Sequence, residues 1–323
     1  MDTQRTSPWL HVLAVFTVAA TLVLITLGSL VTTYRVAMAD PIWPTTPWHL
    51  FTVSWQQADP GYLLEHAHRL AGYIVGILSI GLAVACWSVA ARRRLRWLGV
   101  AALAGVSIQG LLGGFRVRLN EWLGTDLAVV HGSFAAIVLS LLAIIAATTS
   151  RRWDESHRAD DLDRARHIWR LAFGLVVCIF VQIAFGAMVR HTYSSLAQRA
   201  HLAFAFVVTT ATVWLVFAVM HEANTGVLRP LSCVLAAVVG LQILVGVEAW
   251  MIRYSAASTA RQIGTRTIHV LLGQLALASA VVLASFARRR LGTPDAAAPD
   301  ASDSLSPGET MLVAATRGSE VRE

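Results

Sequence analysis

The sequence is poor in charge and contains no lysine. Charged residues are 14% of the 323 positions, against about a quarter in soluble globular domains, so a soluble domain is disfavoured. All 26 basic residues are arginine, and no nucleic-acid-binding motif accompanies them, so no nucleic acid partner is expected. The three cysteines, Cys86, Cys178 and Cys233, lie in apolar segments without a CxxC spacing, which favours reduced packing residues over zinc ligands or a disulfide.

Apolar residues dominate instead, at 56% of the chain. They form runs of about 20 residues, long enough to cross the hydrocarbon core of a lipid bilayer. The predicted fold class is therefore all-α, a polytopic membrane protein with eight transmembrane helices. The predicted spans are 10–34, 62–91, 97–117, 125–149, 169–190, 196–220, 229–252 and 265–287.

The two halves of the chain resemble each other. Glutamine and glycine four residues apart recur in the third, fifth and seventh spans, as Gln109–Gly113, Gln182–Gly186 and Gln242–Gly246. An outer loop and then a histidine-bearing helix follow each of these spans. The repeat predicts two similar four-helix bundles related by duplication. We place them at residues 1–150 and 151–290, followed by a disordered cytoplasmic tail at 291–323.

The arginine distribution predicts the orientation. With a cytoplasmic N-terminus, most arginines lie in inner segments, which favours both termini on the cytoplasmic side of the cell inner (plasma) membrane. Many arginines remain on the outer side and need a reason. Eight of them are near the predicted histidine sites: Arg69, Arg116, Arg118, Arg190, Arg199, Arg253, Arg261 and Arg266.

Four histidines occupy matching positions in the even spans. His68, His131, His201 and His269 each lie one to two and a half turns inside spans two, four, six and eight. Because even spans run in the same direction, their imidazoles are expected near one membrane face. Two imidazole pairs at matched depth suit the axial ligation of two iron porphyrins. A packing role for each histidine, or a zinc site, is the alternative.

A single acid accompanies these histidines. Glu65 precedes His68 by three residues and therefore shares its helix face, whereas Ala128, Gln198 and Arg266 occupy the equivalent positions before the other histidines. An acid beside one site favours proton transfer there. The alternative is a structural ion pair between Glu65 and Arg69, one helical turn later. For the outer arginines, binding of porphyrin propionates competes with snorkelling to lipid headgroups.

These features resemble the heme A synthase family over nearly the whole chain up to about residue 290. The resemblance rests on eight spans in two halves, the four phased histidines, and a Glu-x-x-His-Arg motif as Glu65, His68 and Arg69. The segment from Asp40 to Pro44 is similar to the family's Pro-Asp-Trp-Pro region.

The resemblance implies oxidation of the heme O methyl group to the formyl group of heme A, for terminal oxidases. It implies that His68 and His131 flank the substrate and that His201 and His269 ligate a heme b cofactor. We hypothesise that Glu65 is the catalytic residue that accepts or relays protons during the oxidation. Arg69, Arg199 and Arg266 are the predicted cofactor-binding arginines. A heme O synthase (farnesyltransferase) and an unidentified electron-transfer protein are the implied partners.

One feature departs from the family pattern. Many members carry a cysteine pair in the first outer loop, where this sequence has Thr45 and Thr46, so a thiol-dependent step there is excluded. Two other functions stay open. A di-heme b-type electron-transfer protein without turnover would contain only heme b, and a transporter built on repeats would show no Soret band.

Overall fold

The computed structural model describes residues 7–40, 43, 52, 54, 56, 58–90, 92–156, 159–222 and 224–292. Thr45 and Thr46 therefore lie outside the described residues. So does the predicted tail at 291–323, except for residues 291 and 292. The described part is all-helical, and eight of its helices are long and apolar enough to cross a membrane. They are α1 (Pro8–Thr33), α2 (Pro60–Val89), α3 (Arg93–Arg118), α4 (Asn120–Thr148), α5 (Leu162–Thr192), α6 (Ser195–Met220), α7 (Leu228–Met251) and α8 (Thr259–Arg290).

All eight predicted spans are confirmed, and several of the helices begin before their apolar runs. The largest differences are at the start of α5, at Leu162 rather than residue 169, and of α8, at Thr259 rather than Thr265. Both early turns are polar, which is why hydropathy missed them. Their caps explain the extension: the side chain of Asp161 accepts hydrogen bonds from the first turn of α5, and Ser258 caps α8.

The sequence predicts caps at two other helices, at Asp59 before Pro60 and in a capping box from Ser195 to Gln198, and the outcomes differ. The Asp59 carboxylate accepts hydrogen bonds from Gly61 N and Tyr62 N at 2.8 and 3.1 Å, as the Asp59–Pro60 pair predicted. The capping box predicted at Ser195 is wrong by one residue. Ser194 is the N-cap of α6, and its hydroxyl accepts from Ala197 N at 3.2 Å.

The predicted start of α4 at residue 125 reflects a real irregularity. The helix begins at Asn120, but Leu123 departs from helical geometry with φ −135° and ψ 15°. A kink therefore separates the first turn from the membrane-spanning part. Because Leu119 alone separates α3 from α4, the chain reverses direction within a very short connection.

The helix contacts are consistent with two four-helix bundles. In the N-terminal half each helix contacts the next, and α1 closes the ring by contacting α4; α5 to α8 repeat this pattern. The halves meet through α4 with α8, α4 with α5, and α1 with α8. Exchanging the halves maps this set of contacts onto itself, as expected for a duplicated unit.

Each half has its own buried core. Leu10, Leu82, Leu142 and Ile145 belong to the N-terminal core, and Leu175, Leu215, Leu235 and Leu283 to the C-terminal one. Many large apolar side chains point outward instead, including Phe16, Ile77, Phe206 and Leu244. A helical array that is apolar on its outer surface is suited to a lipid environment.

Candidate functional site: four histidines against four glycines

Each of the four histidine rings packs against a glycine of the preceding helix. A methyl group placed on Gly28 would lie 2.7 Å from Cε1 of His68, and one on Gly246 would lie 2.8 Å from Cε1 of His269. The corresponding distances are 3.0 Å from Gly186 to His201 and 3.3 Å from Gly113 to His131. The glycine repeat seen in the sequence therefore has a physical reason, because a side chain at these positions would occupy the space of the ring.

These contacts place all four rings at the same end of the helices. Each glycine lies about one to two turns before the end of an odd helix, and each histidine lies near the start of the following even helix. The predicted matching depth of His68, His131, His201 and His269 is therefore what the structure shows. Their roles as ligands remain a prediction.

Two of the imidazoles are oriented by backbone carbonyls. Nδ1 of His68 lies 3.1 Å from the Leu24 carbonyl oxygen, and Nδ1 of His201 lies 3.1 Å from that of Gln182. Leu24 and Gln182 stand one turn before Gly28 and Gly186, so the two sites are built alike. A ring that donates its Nδ1 proton keeps the lone pair on Nε2, which is the tautomer that binds a metal.

Glutamines one turn before the glycines contact three of the four histidines. Nε2 of Gln109 donates to the His131 carbonyl oxygen at 2.9 Å, and Nε2 of Gln182 does the same to His201. Nε2 of Gln242 lies 3.4 Å from Nε2 of His269. In α1 the equivalent residue is Leu24, so His68 has no such glutamine contact.

The ring separation in the C-terminal half suits one metal between two imidazoles. The ring centroids of His201 and His269 are 6.2 Å apart, with planes at 82°. Metal–imidazole bonds are about 2.0–2.1 Å long, so two rings at this separation could both reach one metal ion. Within the described residues no three His, Cys, Asp or Glu side chains group into a metal site.

Glu65 is held by two partners and is 3% exposed. Its Oε1 accepts a hydrogen bond from Nη2 of Arg69 at 2.8 Å, and its Oε2 accepts one from the Asp40 backbone N–H, also at 2.8 Å. The Glu65–Arg69 ion pair, which the sequence offers as the alternative to a catalytic role, is therefore present. A carboxylate has about four lone-pair positions, so these bonds leave capacity to accept a proton.

The outer arginines divide into two groups. Four of them bind protein groups. Arg69 pairs with Glu65 and Asp40, and Arg261 pairs with Glu248. Arg118 donates to the Trp43 carbonyl oxygen, and Arg190 donates to α1. Arg116, Arg199 and Arg266 form no hydrogen bond or ion pair with the described residues, and the Arg253 side chain is outside them. Of the three predicted cofactor-binding arginines, Arg199 and Arg266 are exposed, whereas Arg69 is already paired.

The two halves are joined by polar contacts close to the histidines. Arg190 of α5 donates to the Ser29 carbonyl oxygen and to Oγ1 of Thr33 in α1, each at 2.7 Å. Gln274 of α8, which is 4% exposed, lies with Nε2 3.5 Å from the carbonyl oxygen of Gly132, next to His131. The two histidine pairs are therefore parts of one connected structure.

Sequence reasoning missed Asp40 and Gln274 as residues of the site. Asp40 was noted only within the segment from Asp40 to Pro44, and it lies 25 residues from its partner Glu65. Gln274 is five residues after His269 and on a different helix face. No periodic pattern links either residue to its partner, although a lone glutamine in an apolar span is itself a usable signal.

Comparison with known proteins gives consistent similarities. Residues 45–200 match the model of the family COX15-CtaA, described as cytochrome oxidase assembly protein. The chain is 27% identical over 194 residues to a heme A synthase of Bacillus pumilus, covering 58% of this chain and 61% of that one. It is 28% identical over 159 residues to a heme A synthase of Geobacillus kaustophilus, covering 46% and 47%.

A third similarity involves a protein with a different name. The chain is 28% identical over 148 residues to a protoheme IX farnesyltransferase of Halobacterium salinarum, covering 43% of this chain and 33% of that one. The chain thus spans about half to three fifths of the heme A synthases it matches, and a third of the farnesyltransferase.

Proposed function

We propose that the chain acts in heme A biosynthesis as a heme A synthase, because residues 45–200 match the model of the COX15-CtaA family of cytochrome oxidase assembly proteins. The substrate is then heme O, whose ring methyl group becomes the formyl group of heme A. The relatives named heme A synthase support this proposal. The observation that carries it is the arrangement of four histidines, level with one another and each packed on a glycine.

In this proposal the two halves have different tasks. His201 and His269 would hold heme b, which supplies a redox centre that accepts and passes electrons. His68 and His131 would hold the substrate porphyrin in the N-terminal half, residues 1–150. The carbonyl of Leu24 fixes the ring of His68, and the carbonyl of Gln182 fixes that of His201, so each half presents an oriented imidazole.

Protons must leave the reaction as well as electrons. Written with water as the formal oxygen donor, methyl to formyl conversion releases four electrons and four protons. Glu65 is the one carboxylate placed one turn before a proposed ligand histidine, and its free lone pairs allow it to accept a proton. Its role is to take protons from the reacting side and pass them outward.

The membrane setting follows the same reasoning. We place the protein in the cell inner membrane as a multi-pass chain with both termini cytoplasmic, as the arginine distribution favours. The histidine sites then open toward the outer face. The similarity to part of a protein named protoheme IX farnesyltransferase supports partnership with a heme O synthase. An electron-transfer partner is also required, because four electrons must leave the site.

The test is pigment analysis after co-expression with a heme O synthase in a host that makes no heme A. The native chain should yield heme A. Glu65→Gln should keep its Soret absorbance and yield heme O without heme A. Glu222→Gln is the matched control, because Glu222 is also a buried glutamate paired with an arginine, Arg164, but lies at the opposite end of the helices. Normal heme A production by Glu65→Gln would exclude the proton-accepting role.

A di-heme b-type electron carrier is the second candidate. The observation favouring it is that both carboxylate oxygens of Glu65 are already engaged by Arg69 and Asp40, as a purely structural ion pair would be. The same experiment separates the two functions. A carrier contains only heme b even when the host supplies heme O.

A further inference from the structure

Asp40 connects the segment after α1 to the acid of α2. Its backbone N–H donates to Oε2 of Glu65 at 2.8 Å. Its own carboxylate Oδ2 lies 3.0 Å from Nη1 of Arg69, and its carbonyl oxygen accepts from Nη2 of Arg69 at 2.5 Å. The same guanidinium donates to Oε1 of Glu65 at 2.8 Å. Two carboxylates therefore share one arginine, and one of them also binds the other through its backbone.

The Asp40–Glu65–Arg69 cluster is deeply buried. Asp40 and Glu65 are each 3% exposed, and the neighbouring His66 is 1% exposed. His66 lies with Nδ1 3.8 Å from Oδ2 of Asp40, and its ring stacks on Tyr62 with centroids 5.7 Å apart. Buried charged groups hold their geometry when their partners are present and are displaced when one partner is removed.

The geometry of this cluster separates two functions of Asp40. The backbone N–H fixes one oxygen of Glu65 directly. The side chain acts through Arg69, because it holds Nη1 and so keeps Nη2 directed at both the Asp40 carbonyl and the other oxygen of Glu65. Neither contact involves a nitrogen lone pair of a histidine that is proposed to bind a metal.

We infer that Asp40 is a positioning residue that fixes the orientation of the Glu65 carboxylate, both directly and through Arg69. This inference rests on the proposed function, in which Glu65 accepts protons. A proton acceptor must lie within hydrogen-bond reach of its donor, and a displacement of about 1 Å in an active site can cost roughly a hundredfold in rate. Loss of the Asp40 side chain removes one of the groups that hold the guanidinium and allows both Arg69 and Glu65 to shift.

The first arm of the experiment measures conversion. Asp40→Ala, Asp40→Asn and the exposed outer-face control Asp126→Asn are co-expressed with a heme O synthase, and heme A and heme O are quantified per mole of protein. Asp40→Ala should lower conversion roughly tenfold to a hundredfold with unchanged heme content. Asp40→Asn, which still offers an oxygen to Arg69, should lose less. Asp126→Asn should match the native chain.

The second arm measures position without turnover. Hydrogen–deuterium exchange of the peptide covering residues 36–40 reports on the Asp40 amide, whose acceptor is Glu65. Glu65→Ala should accelerate exchange there at least tenfold, because the buried N–H loses its partner, and Arg69→Ala should accelerate it as well. Glu65→Gln, which keeps an oxygen acceptor, should restore most of the protection.

The outcomes are distinguishable. Native conversion by Asp40→Ala with native heme content overturns the inference, and so does an Asp40 amide that stays equally protected in Glu65→Ala. If the native chain makes no heme A, the proposed function fails, while the exchange measurement still tests whether Asp40 and Glu65 fix each other. If Asp40→Ala does not fold, conversion is measured with Asp40→Asn instead. Full conversion by Asp40→Asn, together with unchanged exchange of the Asp40 amide in Glu65→Ala, rejects the positioning role.

Discussion

Replacing Gly246 with alanine should displace the imidazole of His269. The new methyl carbon would lie 2.8 Å from Cε1 of that ring, whereas two carbon atoms are at optimal separation at about 3.5–4.0 Å. Either the ring or helix α7 must therefore move by roughly 0.7–1.2 Å. Functional constellations tolerate about 0.5 Å, so the geometry between His201 and His269 would be lost.

The magnitude follows from overpacking. Inserting a methyl into a packed site costs about 1–3 kcal/mol, which corresponds to a loss of heme affinity of roughly 5-fold to 150-fold. The loss of heme affinity should increase with the overlap between the added methyl group and the histidine ring across the four sites. Gly28→Ala, at 2.7 Å, should be as severe for the N-terminal site, and Gly113→Ala, at 3.3 Å from His131, should be the mildest of the four.

Heme content per mole of purified protein, with low-temperature EPR of the oxidised form, measures this effect. Gly240→Ala is the control in the same helix, because a methyl there meets no atom within 4 Å. Alanine is the better helix former by about 0.8–1.0 kcal/mol, so the control should fold at least as well as the native chain. Gly246→Ala with full heme content and native EPR signals would refute the packing argument.

Three further predictions concern the ligands, a cap and the contact between halves. His201→Ala should remove the heme b signal and leave the porphyrin site of His68 loaded, as optical spectra with pigment extraction would show; loss of both signals would contradict independent sites. Asp59→Ala should lower stability by about 1 kcal/mol, read as a decreased Tm, because two amides at the start of α2 lose their acceptor. Arg190→Met should lower the Tm without removing heme, since it removes the hydrogen bonds from α5 to the Ser29 carbonyl oxygen and to Oγ1 of Thr33 in α1; an unchanged Tm would show that this contact between halves contributes nothing.

Hydropathy and residue spacing were sufficient for the helices and the level of the histidines. Both follow from the length of the apolar runs and the spacing of residues within them, which can be read from a single sequence. The ends of α5 and α8 were missed because their first turns are polar, and capping by Asp161 and Ser258 rather than hydropathy decides where they begin. The offset between Ser194 and Ser195 as the cap of α6 has the same origin, since either serine can accept from the first turn.

The partners of the histidines and of Glu65 were harder to predict. The carbonyl of Leu24 orients His68, and a backbone atom leaves no trace in residue identity. Asp40 lies outside the helices, after the end of α1 at Thr33, so its position relative to Glu65 depends on the tertiary fold. The Glu65–Arg69 pair, by contrast, follows from their separation of four residues in a helix.

The two halves differ around their first histidines, His68 and His201, and under the proposed function those differences mark where the chemistry is performed. Both halves place a histidine on a glycine and orient one imidazole by a carbonyl one turn earlier. In the C-terminal half Gln182 and Gln198 occupy the positions that Leu24 and Glu65 hold in the N-terminal half. A site that only holds a redox cofactor needs the common scaffold alone. The N-terminal half adds a buried acid and commits both Arg69 and Asp40 to holding it, and such an arrangement gains nothing for electron storage. Under the proposed function, a buried, oriented carboxylate beside one of the two sites provides for proton release from a single substrate.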